Sequence, residues 1–286
     1  MNDNKAIKDK DLTSDFKKMH SPKELQLNDK IEARLVDHPI PMAAYQLLRD
    51  DPEIAALQDY SNIVSIKRLG YNDHGPVHMR KVTYNAVKMA TFLKEKNIPL
   101  NLEKEDLGTF DDSLTAVVMS AFLHDVGMSI GRSFHENTGI WLAQPILERI
   151  LLQLYPSSLA KRVILRSLAM ECIMGHMATI PIHSLEAGLI LVADGCDMEK
   201  GRARIPMMLS TDARLGDIHK YSAAAVEKVK IVPGERAAIR IEVHMTETVG
   251  FFQVEEVLFP KIKASPVKPL VELYAYMEGL EPKCYL

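Results

Sequence analysis

Cysteine is scarce in this 286-residue chain: Cys172, Cys196 and Cys284 stand far apart and form no Cys-x-x-Cys pair. That argues against a zinc ribbon and a disulfide framework and fits a reducing cytoplasm. An excess of positive charge is also missing. With 35 Lys and Arg against 38 Asp and Glu, the net charge is -3, so no global positive field advertises nucleic acid or an anionic membrane surface. Small anions remain open, because a few local cations or a metal can hold them. The longest apolar runs, such as Leu185 to Ala193, are far too short to span a bilayer, and Met1 to Lys18 has no signal-peptide apolar core. Gly-x-Gly-x-x-Gly, a Walker loop and a Gly-x-Ser-x-Gly elbow are all absent. The expectation is a cytoplasmic protein with neither a nucleic-acid nor a membrane partner.

What is present is apolar patterning at helical intervals. At 47% apolar and 26% charged residues, the chain is long enough for one main domain and a smaller attachment. Residues 1–40 read as a weakly ordered or helical leader, polar and charged to about residue 30 and interrupted by Ser21-Pro22. Residues 41–225 read as an all-α domain. Short helices broken at Asp50-Asp51-Pro52 lead to a helix from Pro76 to about Leu93, whose buried stripe His78, Val82, Ala86, Met89 and Leu93 includes a histidine. Leu114 to Val126 is apolar almost all round and marks the core. Further helical patterns cover about 137–154, 158–174 and 185–198. Residues 226–286 change character. The strand-like run Ala238 to Val243, the helical run Val254 to Ile262 and the strand-like run Val271 to Met277 suggest a small β-α-β appendage. It is expected to support packing or a homodimer and to carry no chemistry.

The chemistry gathers on the apolar helices. His124-Asp125 closes the most apolar one, and an ionised Asp beside an imidazole is costly to bury without a compensating cation. A divalent metal is the economical compensation, and mixed imidazole and carboxylate donors suit manganese, zinc, iron, nickel or cobalt better than calcium. His78 and Asp194 also sit in apolar stripes. Singly, each reads more naturally as a hydrogen-bonded core residue or a helix cap, but their joint occurrence with His124-Asp125 favours a metal site.

Three stretches, Asp73-His-Gly-Pro-Val-His78-Met-Arg-Lys-Val82, Ala121-Phe-Leu-His124-Asp125-Val-Gly127 and Leu191-Val-Ala-Asp194, resemble the H…HD…D signature of the HD-domain superfamily of metal-dependent phosphohydrolases. The resemblance covers roughly residues 60–200. It implies a mainly α, HD-type helical bundle that hydrolyses a phosphate ester or anhydride of a nucleotide-like or other small phosphorylated substrate with a metal-activated water. It assigns His78, His124, Asp125 and Asp194 to a first metal. His135, which opens a helix followed by Gly139, and His176 in Cys172-Ile-Met-Gly-His176 match by order the histidines of a second site, with His183 as a rival to His176. His135 can alternatively donate a proton to the leaving group.

The departures from the family pattern are specific. Met128 stands where some members have a phosphate-contacting Lys and others a Glu, and His176 is followed by Met177 rather than a second His. Substrate assignments narrower than a phosphorylated small molecule therefore do not carry over. Cations near the ligands in sequence are the candidates to clamp phosphate: Lys81 and Arg132 with a catalytic role, and Arg80, Arg202 and Arg204 as substrate-binding residues. Two other readings stay open, a di-iron oxygenase on the same fold and a non-catalytic ligand-binding module.

Overall fold

The computed structural model describes residues 20–200 and 218–286; Arg202 and Arg204, and the leader before residue 20, lie outside them. The described part of the leader is a helix that packs on the core. In α1 (Pro22–Leu35), Ser21 and Glu24 form a reciprocal capping box and Pro22 occupies the first turn. Ser21-Pro22, expected to break a pattern, instead starts one, because the missing N–H of proline costs nothing at a helix N-terminus. Ile31 and Leu35 are fully buried, so the weak order expected to about residue 30 gives way from Pro22 onward.

The chain continues through α2 (Pro39–Arg49) and α3 (Pro52–Ile63), where Asp51 caps α3 by accepting from the backbone of Glu53 and Ile54. Then come α4 (Pro76–Glu95), the single turn α5 (Asn101–Lys104), α6 (Phe110–Leu123), α7 (His135–Leu154), α8 (Leu159–Gly175), α9 (Leu185–Gly195) and α10 (Ile218–Ala225). As its composition predicts, α6 is the central helix. Leu114, Val117, Val118 and Ala121 are sealed from solvent, and the helix is packed by α2, α4, α8 and α9. It starts four residues earlier than the apolar pattern suggests, capped by Thr109 rather than by Asp111, Asp112 or Ser113. It ends at Leu123, where a 3-10 turn (Val126–Ser129) redirects the chain.

The C-terminal region is a four-stranded sheet in the order β1 (Val226–Pro233), β2 (Ile239–Met245), β3 (Val271–Met277), β4 (Lys283–Cys284). The expected β-α-β unit is its centre: β2 and β3 pair in parallel, with Ile241 opposite Leu273, and the helical segment α11 (251–264) makes the crossover. Two strands were not foreseen. β1 forms an antiparallel hairpin with β2, and its Glu227, Lys228 and Lys230 mask an inward set of only Val226, Val229 and Ile231. β4 is two residues long. Ile239, Ile241, Val243 and Leu273 are fully buried in the same apolar cluster as Val254, Leu258 and Ile262 of α11. The sheet face is thus covered within the chain and gives no reason for a second copy. Cys172, Cys196 and Cys284 are free thiols, and no helix among the described residues is long and apolar enough to cross a membrane.

Candidate metal centre

Helix ends deliver the site. His78 lies in the first turn of α4, His124 caps the C-terminus of α6 with Asp125 directly after it, His135 opens α7, His176 caps the C-terminus of α8, and Asp194 sits at the end of α9. All six residues are buried, and the fold brings them to one place. One glycine shapes the approach. A Cβ on Gly127 would stand 1.9 Å from the carbonyl oxygen of His135 and 2.5 Å from the amide nitrogen of Gly139, so only glycine lets the His-Asp turn press against α7.

The distances divide the cluster in two. Nε2 of His78 is 3.2 Å from Nε2 of His124, 3.2 Å from Oδ2 of Asp125 and 3.2 Å from Oδ1 of Asp194. On the other side, Nε2 of His135 lies 3.0 Å from Nε2 of His176 and 3.1 Å from Oδ1 of Asp125, and Nε2 of His176 is 3.3 Å from that same oxygen. Asp125 therefore faces one group with Oδ2 and the other with Oδ1.

The outer nitrogens fix how the rings are protonated. Nδ1 of His124, His135 and His176 donates to the carbonyls of Ala121, Arg132 and Ile173 at 2.9, 2.9 and 2.6 Å, and Nδ1 of His78 donates to Oδ2 of Asp197 at 2.7 Å. Those partners can only accept, so in a neutral ring the proton is on Nδ1 and Nε2 points a lone pair inward. Burial pushes His176 down to about 4, outweighing the pull of Asp125, which makes it neutral at pH 7. Burial alone would raise the Asp125 carboxyl, yet a proton shared from the surrounding imidazoles, that of His124 first and then those of His135 and His176, holds it well below the carboxylate range. The result is a ring of inward lone pairs and carboxylate oxygens at 3.0–3.3 Å, mutually repulsive unless a proton or a cation lies between them. His78, His124 and Asp194, and likewise His124, Asp125 and His176, present donor atoms all within 4.8 Å of one another. These groups can hold a metal ion, and their nitrogen and oxygen donors suit a divalent transition metal.

The cations expected to clamp phosphate are placed less simply. Lys81 is paired with Glu199 at 3.4 Å, and Arg132 rests over the ring of Tyr71, 6.0 Å from its centroid. The assignment of Arg80 to substrate needs correcting. Two positions after His78, it points to the far side of α4, where its buried guanidinium donates to Asn28, Gln58 and the carbonyl of Pro76 and covers Phe122. Arg80 ties α1, α3 and α4 together and does not face the centre. His183 is exposed, which leaves His176 as the histidine beside His135. Met128 is fully buried and brings no charge to its position.

Two participants escaped the sequence. Asp197, which orients His78, had a faint signal as the second acid of Asp194-Gly-Cys-Asp197. Lys261 had none. From α11 it forms an ion pair with Oδ2 of Asp194 and donates to the carbonyl of His176 at 3.0 Å. The C-terminal appendage, expected to carry no chemistry, touches the site: the packing of Leu258 and Lys261 against Gly195 of α9 brings an ammonium from the appendage onto a site carboxylate.

No family model and no solved structure matches the chain. It is 40% identical over 243 residues to the uncharacterized protein MJ1020 of Methanocaldococcus jannaschii, a match that spans 85% of this chain and 92% of that protein. At that identity and coverage, the chain belongs to the same family as MJ1020.

Proposed function

We propose that the protein is a metal-dependent phosphohydrolase of the HD type, acting on a small phosphorylated substrate at a centre of two divalent ions. The observation that supports this reading best is the division of Asp125, with Oδ2 toward His78 and Oδ1 toward His135. A carboxylate shared in this way suits two ions, the first with His78, His124 and Asp194 and the second with His135 and His176. Such ions supply a nucleophilic water at neutral pH and charge to offset the phosphoryl oxygens. The chain's own residues do the rest. The Nδ1 hydrogen bonds to Ala121, Arg132, Ile173 and Asp197 hold the four rings in the liganding tautomer. Burial of the centre keeps bulk water from screening it. Arg132, beside His135 in the loop before α7, is the candidate clamp at the rim, and His135 serves as ligand rather than proton donor in this reading because its Nε2 faces Asp125.

The test is a screen of purified protein, loaded in turn with manganese, zinc, nickel, iron or cobalt, against phosphorylated metabolites, read as phosphate release. Release that depends on metal and disappears in Asp125→Ala supports the reading. Iron-dependent oxygen consumption without phosphate release would favour the di-iron oxygenase instead, and metal loading with neither activity would favour a binding module.

A further inference from the structure

The position at which relatives of this motif carry a phosphate-contacting cation is filled here by Met128, which is fully buried. A positive group nevertheless reaches the centre. Among the described residues, Lys261 is the one Lys or Arg whose side chain forms an ion pair with any of the six site residues. We infer that Lys261, supplied by the C-terminal subdomain, is the phosphate-binding cation of this site; the inference rests on the phosphohydrolase reading above.

Several observations converge on it. The ammonium has three N–H donors. One is taken by Oδ2 of Asp194 and one by the carbonyl of His176, which leaves a third for a ligand. Asp194 turns its other oxygen toward His78, and the carbonyl is the backbone of His176, whose ring faces His135. A phosphoryl group bridging both halves would thus lie next to the ammonium. The lysine side chain is 13% exposed, and its stem packs against Gly195. The C-terminal subdomain thereby takes part in substrate recognition, and its helix α11 is a specificity element rather than a support alone.

The experiment uses full-length protein loaded with manganese and titrated with inorganic phosphate by calorimetry, beside elemental analysis of the same samples. Lys261→Met is expected to weaken phosphate binding by about tenfold or more, the worth of one charge-assisted hydrogen bond, with manganese stoichiometry unchanged. Lys261→Arg, which keeps the charge, is expected to retain most of the affinity. Lys263→Met, two positions along on the exposed side of α11, is expected to behave as wild type. If Lys261→Met does not fold, Lys261→Gln, which keeps a neutral donor, carries the same comparison. Phosphate binding in the folded variant equal to wild type, or loss of manganese together with phosphate, would overturn the role of Lys261. A wild type that loads manganese but binds no phosphate would instead overturn the phosphohydrolase reading beneath it.

Discussion

Nδ1 of His78 donates to Oδ2 of Asp197 at 2.7 Å, joining residues 119 positions apart. That bond fixes the tautomer that turns Nε2 of His78 toward His124, Asp125 and Asp194. Asp197→Asn keeps the shape but lets an amide donor face the ring. It is expected to weaken manganese affinity by about 10–100-fold, the usual loss when the partner of a liganding histidine is removed. Equilibrium metal titration reads this directly, and an affinity within twofold of wild type would leave Asp197 without that role.

Asp125 faces both halves of the centre, whereas His135 and His176 face one. Asp125→Ala is expected to lose both metals and all turnover while staying folded, and His135→Ala or His176→Ala to lower the stoichiometry from about two to about one with the first site still occupied. Elemental analysis separates these outcomes. A wild type that never exceeds one metal per chain at saturation refutes the two-ion reading.

Metal-free protein should lose stability on mild acidification. Burial depresses His176 from 6.5 to about 4 in the folded state, so between those values the unfolded chain binds more protons than the native one. Stability present above about pH 6.5 is therefore lost as the pH falls toward 4, by up to about 3 kcal/mol. Asp125 adds nothing in this window, because a depressed carboxyl loses its contribution only below its ordinary value of 3.8. Urea unfolding after chelation, at intervals from pH 7.5 to 4.5, measures the slope. A flat midpoint across that range would mean that burial does not depress His176 in the folded protein.

Arg80 separates structure from chemistry. Arg80→Met removes the donor to Asn28 and Gln58 and is expected to cost about 2 kcal/mol of stability while manganese affinity stays at the wild-type value. A variant of unchanged melting temperature but weakened phosphate binding would restore Arg80 to the substrate site.

Sequence by itself determined which residues are chemically costly. His78, His124, Asp125 and Asp194 stand out because ionisable groups in apolar helical stripes need compensation wherever those stripes pack, and the β-α-β unit was legible from alternation in Ile239, Ile241 and Val243. The hairpin strand β1 was hidden because Glu227, Lys228 and Lys230 dilute its alternation. Local pattern also left the direction of Arg80 unread, although its two-residue offset from His78 sends it to the opposite face of α4. Only the tertiary structure decided that Asp125 divides its oxygens between two histidine pairs, that Asp197 turns His78, and that Lys261 crosses from α11 to Asp194. These are contacts between residues from 10 to 119 positions apart, and they depend on how helices pack rather than on any period within a helix. Periodicity says which face of an element is buried; the packing of α11 against Gly195 of α9 says what that face meets.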